Sequence, residues 1–513
     1  MKKDLELLWT DFHSNIHHEG IKDLPKWFEQ VQKLLDFWPI AYYPFYMKEL
    51  PSGMGVEDHH DLDVVREDWE YIRKFTNEVN AKGWPMFMGY EWQGSGLDGD
   101  HNVFFKDNNN PIEFPLRYEE LVETYKNTDA IGIPHHLAYQ LNNRGKNWAT
   151  HNEAFSPFAE IYSSHGSSEN DYGRIPMNRH IHMGPRVGKN SVEDGLEQGY
   201  HFGIIASGDN HQVPAMSAFG TCALWSEGRS KDQIWDALMK RHVYGVSDER
   251  IALKFNIDDA MMGDVTTFKK DSKIIIDVKG ANALDYIEVL AGPGRERIKL
   301  IDCARTPVIP ESGKVKFQFK VEFGWGPDRR VFPDIASKQW NVELKGDGKI
   351  LRILPCWNNF GQNIIESDEN HSKWELTTYK TTQTGKWMGA SSVTTESMVV
   401  EMEADINGEV ELEVDGKNYK FKVRDILQDS TLISLDEEIK KLIKDTWGEE
   451  SYYRNDTWWH NSYKFKVHRG ALLEEYEQKY EFNMDLTKYK YVRVRVNQKN
   501  GNLAWSSPIF SEE

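Results

Sequence analysis

Apolar residues follow two different spacings along this chain, and the change comes near residue 250. Before it, short apolar runs alternate with segments of helical period. Leu24, Trp27, Phe28, Val31, Leu34 and Leu35 recur on one face, with Asp23 placed as a cap and Pro25 in the first turn, which predicts a helix. LDFWPIAYY reads as a buried strand. Val64, Val65, Trp69, Ile72, Phe75 and Val79 mark a second helix, with Gly83 placed to end it. PMFMGYE, AIGIP, FAEIYSS and FGIIASG are further short strands, and SKDQIWDALMKR is another helix. Repeated β-then-α order predicts parallel strands joined by crossovers, as a barrel or a doubly wound sheet.

After about Arg250 the period becomes two. IALKFNIDD, SKIIIDVKG, DYIEVLAG, KVKFQFKVEF, GEVELEVDG, YKFKVR and YVRVRV are strands separated by Gly, Asn and Asp, and DEEIKKLIKDTW is the best helix among them. The end predicts a hairpin, YKYVRVRVNQ and LAWSSPIF around KNGN. The fold class is therefore α/β followed by all-β, with residues 1–250 as one domain and 251–513 as one or two antiparallel β-sandwiches. A chain of 513 residues is long enough for two or three such units.

Composition narrows the function. The formal charge is −19, from 62 Lys+Arg against 81 Asp+Glu, so the surface repels a phosphate backbone and nucleic acid is not the expected partner. No apolar run approaches the roughly 20 residues that span a bilayer. The opening MKKDLELLWTDFH lacks the apolar core and cleavage site of a signal peptide. Three widely spaced cysteines, Cys222, Cys303 and Cys356, argue against a disulfide framework and fit a reducing, cytoplasmic setting. Aromatic residues reach 12%, which leaves a glycan-derived substrate open beside other small molecules.

Histidine is unevenly spread: fifteen of 18 precede residue 250. Many stand where apolar strands stop. LELLW runs into Asp11, His13, Asn15, His17 and His18, and PMFMGY delivers Glu91, with His101 following. AIGIP delivers His135 and His136, FAEIYSS delivers His165, and FGIIASG delivers Asp209 and His211. The C-terminal ends of barrel strands converge on one face. Imidazoles and carboxylates gathered there suit Zn, Mn or Fe, with a carboxylate able to bridge two ions.

Over about residues 5–250 the sequence resembles the PHP (polymerase and histidinol phosphatase) superfamily of metal-dependent hydrolases. DFHSN resembles its first motif, LDFWPIAYYP its second strand, and GYEW the motif with a bridging glutamate. DHNVFF and IPHH resemble the next histidine motifs, and SGDNH the closing one. RHVYGVSDERI and AWSSPIF resemble a bacterial branch with a C-terminal β domain. The resemblance implies a distorted seven-stranded β/α barrel with divalent metal ions. It implies that His13, Glu91 and Asp209 hold a first ion, with Glu91 bridging to a second held by His101 and His135. A third site would use His211 with His17 or His18. Asn15 and Tyr43 stand where the family has histidines, so one or two ions are expected rather than three.

The remaining residues have plainer expectations. His136 packs, His59 and His60 lie in an acidic loop, and Asp11 orients an imidazole. His17 and His165 are the candidate proton donors. Glu169, Arg186, Arg250 and Tyr43 are candidate substrate contacts. The expected activity is hydrolysis of a phosphoester or a carbohydrate-linked ester. The alternatives are a non-catalytic metal- and glycan-binding protein and a metal-assisted lyase. Oligomeric state is not set by the sequence.

Overall fold

The computed structural model describes residues 5–512, apart from 178–182, 212–218, 328–331, 333, 336, 380–394, 449–452 and 455. The N-terminal half holds strands β1 (Glu6–Thr10), β2 (Ser14–His17), β3 (Trp38–Tyr43), β4 (Phe45–Glu49), β5 (Gly55–His59), β6 (Met86–Trp92), β7 (His101–Phe105), β8 (Ala130–Pro134), β9 (Phe158–Ser163), β10 (Gly166–Ser167), β11 (Gly203–Ala206), β12 (Thr221–Ser226) and β13 (Val243–Val246). Its longer helices are α1 (Leu24–Val31), α2 (Leu62–Ala81), α3 (Tyr118–Tyr125), α4 (Val192–Glu197) and α5 (Lys231–Met239).

Helix α2 shows why the apolar period predicts its partner. Val65, Trp69, Ile72 and Val79 are buried, and of the charged residues between them only Asp68 is buried with them, where it accepts from Tyr42 and faces His18. Each large side chain removed from water there stabilises the fold by about 1.5–3 kcal/mol. The chain leaves the helix through Gly83 at φ 86°, a left-handed conformation that glycine adopts without strain.

Strands β2, β3 and β6 are parallel neighbours, as the β-then-α order predicts. The next two are not: β6–β7 and β7–β8 pair antiparallel. The connection from β6 to β7 is residues 93–100, QGSGLDGD, too short and too rich in glycine for a crossover helix, so the chain turns straight back. Strand β9 pairs with β11 in parallel and with β10 antiparallel. A single bridge, Ser14 to Asn210, ties the edge at β2 to the segment after β11. Among the described residues no sheet closes on itself, and the strands of this half lie in several open sheets rather than in one closed barrel.

Strands β1, β12 and β13 form one edge of a nine-stranded sheet. Its remaining members come from the second half: Val243–Val246 pairs with Leu503–Ser506, which continues to Tyr491–Gln498, Leu284–Gly292 and Glu296–Asp302. The predicted terminal hairpin is therefore present, and it adds strands to the N-terminal half. Two further antiparallel sheets, five and six strands in size, face each other across Phe323, Trp340, Trp374, Met398 and Val400. This is the β-rich half that the period of two predicts. Cys222, Cys303 and Cys356 are free and buried, and no helix of the described residues is long and apolar enough to cross a membrane.

Candidate metal centre

The centre begins at the turn after β1. The Asp11 carboxylate accepts the backbone N–H of His13 at 2.9 Å, that of Gly208 at 2.9 Å and the Ser14 hydroxyl at 2.7 Å. It thus ties the turn after β1 to the one after β11, rather than orienting an imidazole. Phe12 enters the apolar core and the next side chain, His13, turns the other way. Asp209, arriving from the second turn, has φ 48°, and His136, after β8, has φ 33°. Non-glycine residues in this left-handed region are uncommon and concentrate at functional sites.

His13 is fully buried among three carboxylates. Its Nε2 lies 3.3 Å from Glu91 Oε2 and 3.4 Å from Asp209 Oδ1, and its Nδ1 is 2.9 Å from Glu160 Oε2. The His135 ring lies 4.2 Å from the His13 ring between centroids, and its Nε2 is 3.8 Å from Glu91 Oε1. One ligand atom each from His13, Glu91 and His135 lies within 4.8 Å of the others, and the same holds for Asp100, His135 and His136. Asp209 Oδ2 meets His165 Nε2 at 2.9 Å, and His165 Nδ1 faces the Tyr139 hydroxyl at 2.7 Å. At the rim, His211 Nε2 is 3.4 Å from Asp209 Oδ1 and 3.1 Å from Asn15 Nδ2, while its Nδ1 faces His17 Nε2 at 2.9 Å.

Two features fit this set to a divalent cation. Both ring nitrogens of His135 are buried without a hydrogen-bond partner, which a native interior rarely tolerates unless a ligand supplies the contact. Burial also holds His135 well below the usual imidazole range, so it is neutral and its lone pair is free. The second feature is charge. Burial alone would depress His13, but Asp209, Glu160 and Glu91 outweigh it and hold His13 well above its ordinary value. Burial pushes Glu160 up to about 7 against the pull of His13. Buried carboxylates need a compensating cation, and the three that face His13 have few other partners, chiefly His165 at 2.9 Å from Asp209 and Arg144 at 3.9 Å from Glu91. The Glu160–His13 contact is also the carboxylate–imidazole arrangement that fixes a ligand's tautomer, leaving Nε2 for an ion.

The structure brings together His13, Glu91, His135, Asp209, His165, His211 and His17, and places Tyr43 beside them, its ring 4.6 Å from His17 and 4.8 Å from His211. It gives other predicted residues partners outside this group. His18 is half-exposed and pairs with Asp68 at 2.8 Å. His101 is buried with its Nε2 3.2 Å from Lys146 Nζ. Glu169 is held by Arg493 and Arg495, at 2.8 Å each. Arg186 donates to the carbonyls of Ser167, Asp171, Gly173 and Ile175, bracing that loop. Arg250 donates to the Leu34 carbonyl and stacks 5.2 Å from the Trp9 ring. His59 and His60 end a hairpin, β4–β5, whose Glu57 accepts from the Tyr43 hydroxyl and lies 3.4 Å from Arg144. Sequence reasoning missed Glu160, Asp100, Arg144 and Lys146. Only Glu160 carries a local signal, a single charge inside the otherwise apolar run FAEIYS.

Residues 206–272 match the model of a family described as protein of unknown function (DUF3604). An uncharacterized protein of Chlamydia pneumoniae is 26% identical over 216 residues, 38% of this chain and 34% of the relative, so the chain spans about a third of that relative's length. A crystallised two-domain protein of Bacteroides vulgatus, containing a predicted PHP-like metal-dependent phosphoesterase, covers 81% of this chain and 94% of its own at 13% identity, with a TM-score of 0.33. At that score the likeness places no residue.

Proposed function

We propose that the chain is a metal-dependent hydrolase of the PHP kind, acting in the cytoplasm on a small phosphoester or carbohydrate-linked ester. The observation that carries this is the buried His13–Glu91–His135 group, with both His135 nitrogens unpartnered. We take residues 1–250 as its catalytic domain, a distorted β/α array, and residues 251–513 as its β domain. The three buried free cysteines are in keeping with a reducing compartment.

A divalent ion such as Zn, Mn or Fe, when bound, supplies Lewis acidity to a phosphoryl or carbonyl oxygen and acidifies water. The protein's own residues prepare that chemistry. Glu160 fixes the His13 ring from behind through Nδ1. Glu91 directs Oε2 to His13 and Oε1 toward His135, with Gln93 donating to Oε1 at 3.0 Å. Asp209 and Tyr139 engage His165 at its two nitrogens and fix its ring, so it can serve as the proton donor only by giving up one of those contacts to the substrate. One observation favours the non-catalytic alternative: Asn15 presents an amide, a poor ligand, to Asp209 and His211.

The test is metal content of protein purified without chelator, followed by a screen of phosphate, carboxylate and sulfate esters. Glu91→Gln should keep the fold, lose the ion and lower turnover by at least about 100-fold, the upper end of what even supporting residues cost. Full metal and full turnover in that variant would overturn the reading.

A further inference from the structure

Lys146 is completely buried beside the centre, and its amine makes an unexpected contact. The His101 ring is fixed at one end, where Nδ1 donates to the Gly99 carbonyl at 2.9 Å. That bond leaves the lone pair on Nε2, the form in which an imidazole binds a metal ion. The atom facing that lone pair is Lys146 Nζ, at 3.2 Å. The amine also sits 4.1 Å above the Tyr118 ring, on which the His101 ring is stacked at 4.6 Å. An amine keeps an N–H for Nε2 in either protonation state, so the contact holds whether or not Lys146 is charged.

The loop that delivers Lys146 is built for close approach. A Cβ on Gly145 would lie 1.9 Å from the Tyr139 carbonyl oxygen, and one on Gly99 would lie 2.9 Å from Lys146 Cα. Lys146 N–H donates to the Leu137 carbonyl at 3.0 Å and Arg144 N–H to the Gly96 carbonyl at 2.9 Å. Two residues before Lys146, the Arg144 guanidinium closes on Asp100 Oδ2, with Nη2 at 2.5 Å and Nε at 2.6 Å, and Nη2 lies 3.9 Å from Glu91 Oε1. His101, the outer oxygen of Glu91 and Asp100 are three of the groups a second ion could draw on beside His135. Each already faces a nitrogen of this one loop.

We propose that Lys146, carried by the loop of residues 137–146, closes the second metal position by occupying His101 Nε2, while Arg144 of the same loop braces Asp100 beside it. The centre then holds a single ion, on the His13, Glu91 and His135 side. This rests on the metal-centre reading above, and His101 becomes a partner of Lys146 rather than a ligand.

The experiment is titration of chelator-stripped full-length protein with Zn²⁺ and Co²⁺, read by calorimetry and by Co²⁺ absorbance, for wild type, His101→Asn and Lys146→Met. Wild type should bind one ion per chain. His101→Asn should bind it with a dissociation constant within about three-fold of wild type, well short of the 10- to 100-fold that losing ligand support costs. Lys146→Met keeps the buried length, frees His101 Nε2 and should take up a second ion. Two ions on wild type, a ten-fold weakening in His101→Asn, or a stoichiometry fixed at one in Lys146→Met would each overturn the proposal. Should His101→Asn not fold, wild type and Lys146→Met decide the matter alone. No ion on wild type would instead overturn the metal-centre reading, and this inference with it.

Discussion

Two buried clusters of charge lie at opposite ends of the segment 163–169, and they are built from different partners. At one end His165 belongs to the group of His13, Glu91, Glu160 and Asp209, in which carboxylates face imidazoles and the ring nitrogens of His135 have no hydrogen-bond partner. At the other end Glu169 faces Arg493 and Arg495 at 2.8 Å each and accepts from the Trp505 indole at 3.0 Å. Arg493 also meets Glu193 at 2.6 Å, and Arg495 meets Glu288 at 2.6 Å. A guanidinium keeps its charge and has no lone pair to give, so a carboxylate it neutralises is finished as a chemical group. An imidazole can release its proton to an ion and become a ligand. Glu169 is as deeply buried as Glu91 and Asp209, so the partner, and not the depth, separates a structural carboxylate from one available to a metal.

The largest effect that would break this comparison lies in the arginine cluster. Arg493→Met leaves Glu169 and Glu193 without a full partner and should destabilise the chain by about 3–5 kcal/mol in urea, with ion binding at the centre unchanged. The pH dependence has a definite sign. Burial would raise Glu169, but Arg493 and Arg495 outweigh it and hold the carboxyl at about 2, against an ordinary 4.5. A depressed carboxylate stabilises the fold fully above 4.5 and loses that contribution as pH falls toward 2. The gap between wild type and Arg493→Met should therefore narrow across that window. A gap that is constant with pH would mean that Arg493 acts by packing alone. A chain ending at residue 250 is the harsher version. It removes both arginines, Trp505 and the strand 503–506 that covers the β13 edge, and it should aggregate.

This cluster also marks how far the sequence could be read. Periodicity located α2, the strands feeding the centre and the terminal hairpin, because apolar spacing records which side of an element is buried. Strand direction leaves no such record: β7 and β8 have the same apolar character whether parallel or antiparallel, and only the short glycine-rich connection before β7 hints at the reversal. The strand-end residues His13, Glu91, His135, Asp209 and His211 could be chosen because each follows an apolar run. Glu169, Arg186 and Arg250 could not be sorted the same way. Their partners are carbonyls or charges that the sequence does not connect to them, some more than 300 positions distant. Lys146 and Arg144 lie in a loop without apolar period, so nothing local marks them.

A smaller effect sharpens the other side. Glu160 touches no expected substrate position and acts through His13 Nδ1. Glu160→Ala should weaken ion binding by about 10- to 100-fold while the ion, at saturation, still restores turnover in part. Glu160→Ala also takes from His13 one of the carboxylates facing it and leaves a cavity in a buried strand, so the metal-free protein should lose stability as well. A variant that binds the ion normally would place Glu160 with the structural carboxylates and erase the distinction drawn between the clusters.

The smallest expected effect is at the rim. His211 follows Asp209 by two residues, and both side chains enter the same region, with His211 Nε2 3.4 Å from Asp209 Oδ1. Its side chain is 20% exposed, against 3% for Asp209, so water can take over part of what it contributes. Its other nitrogen is engaged by His17, which burial and the neighbouring His211 hold near 3. His211→Ala should therefore lower turnover by about ten-fold, the low end for losing a ligand's support, rather than abolish it. Stability provides the second readout. An ion stabilises only the state that holds its site together, so the melting temperature of His211→Ala should fall short of wild type when metal is present and match it in chelator. A structural histidine, like the arginines at the other end of the segment, would cost the same stability in both conditions. Equal losses with and without metal would move His211 into the structural cluster and confine the metal centre to His13, Glu91, His135 and Asp209.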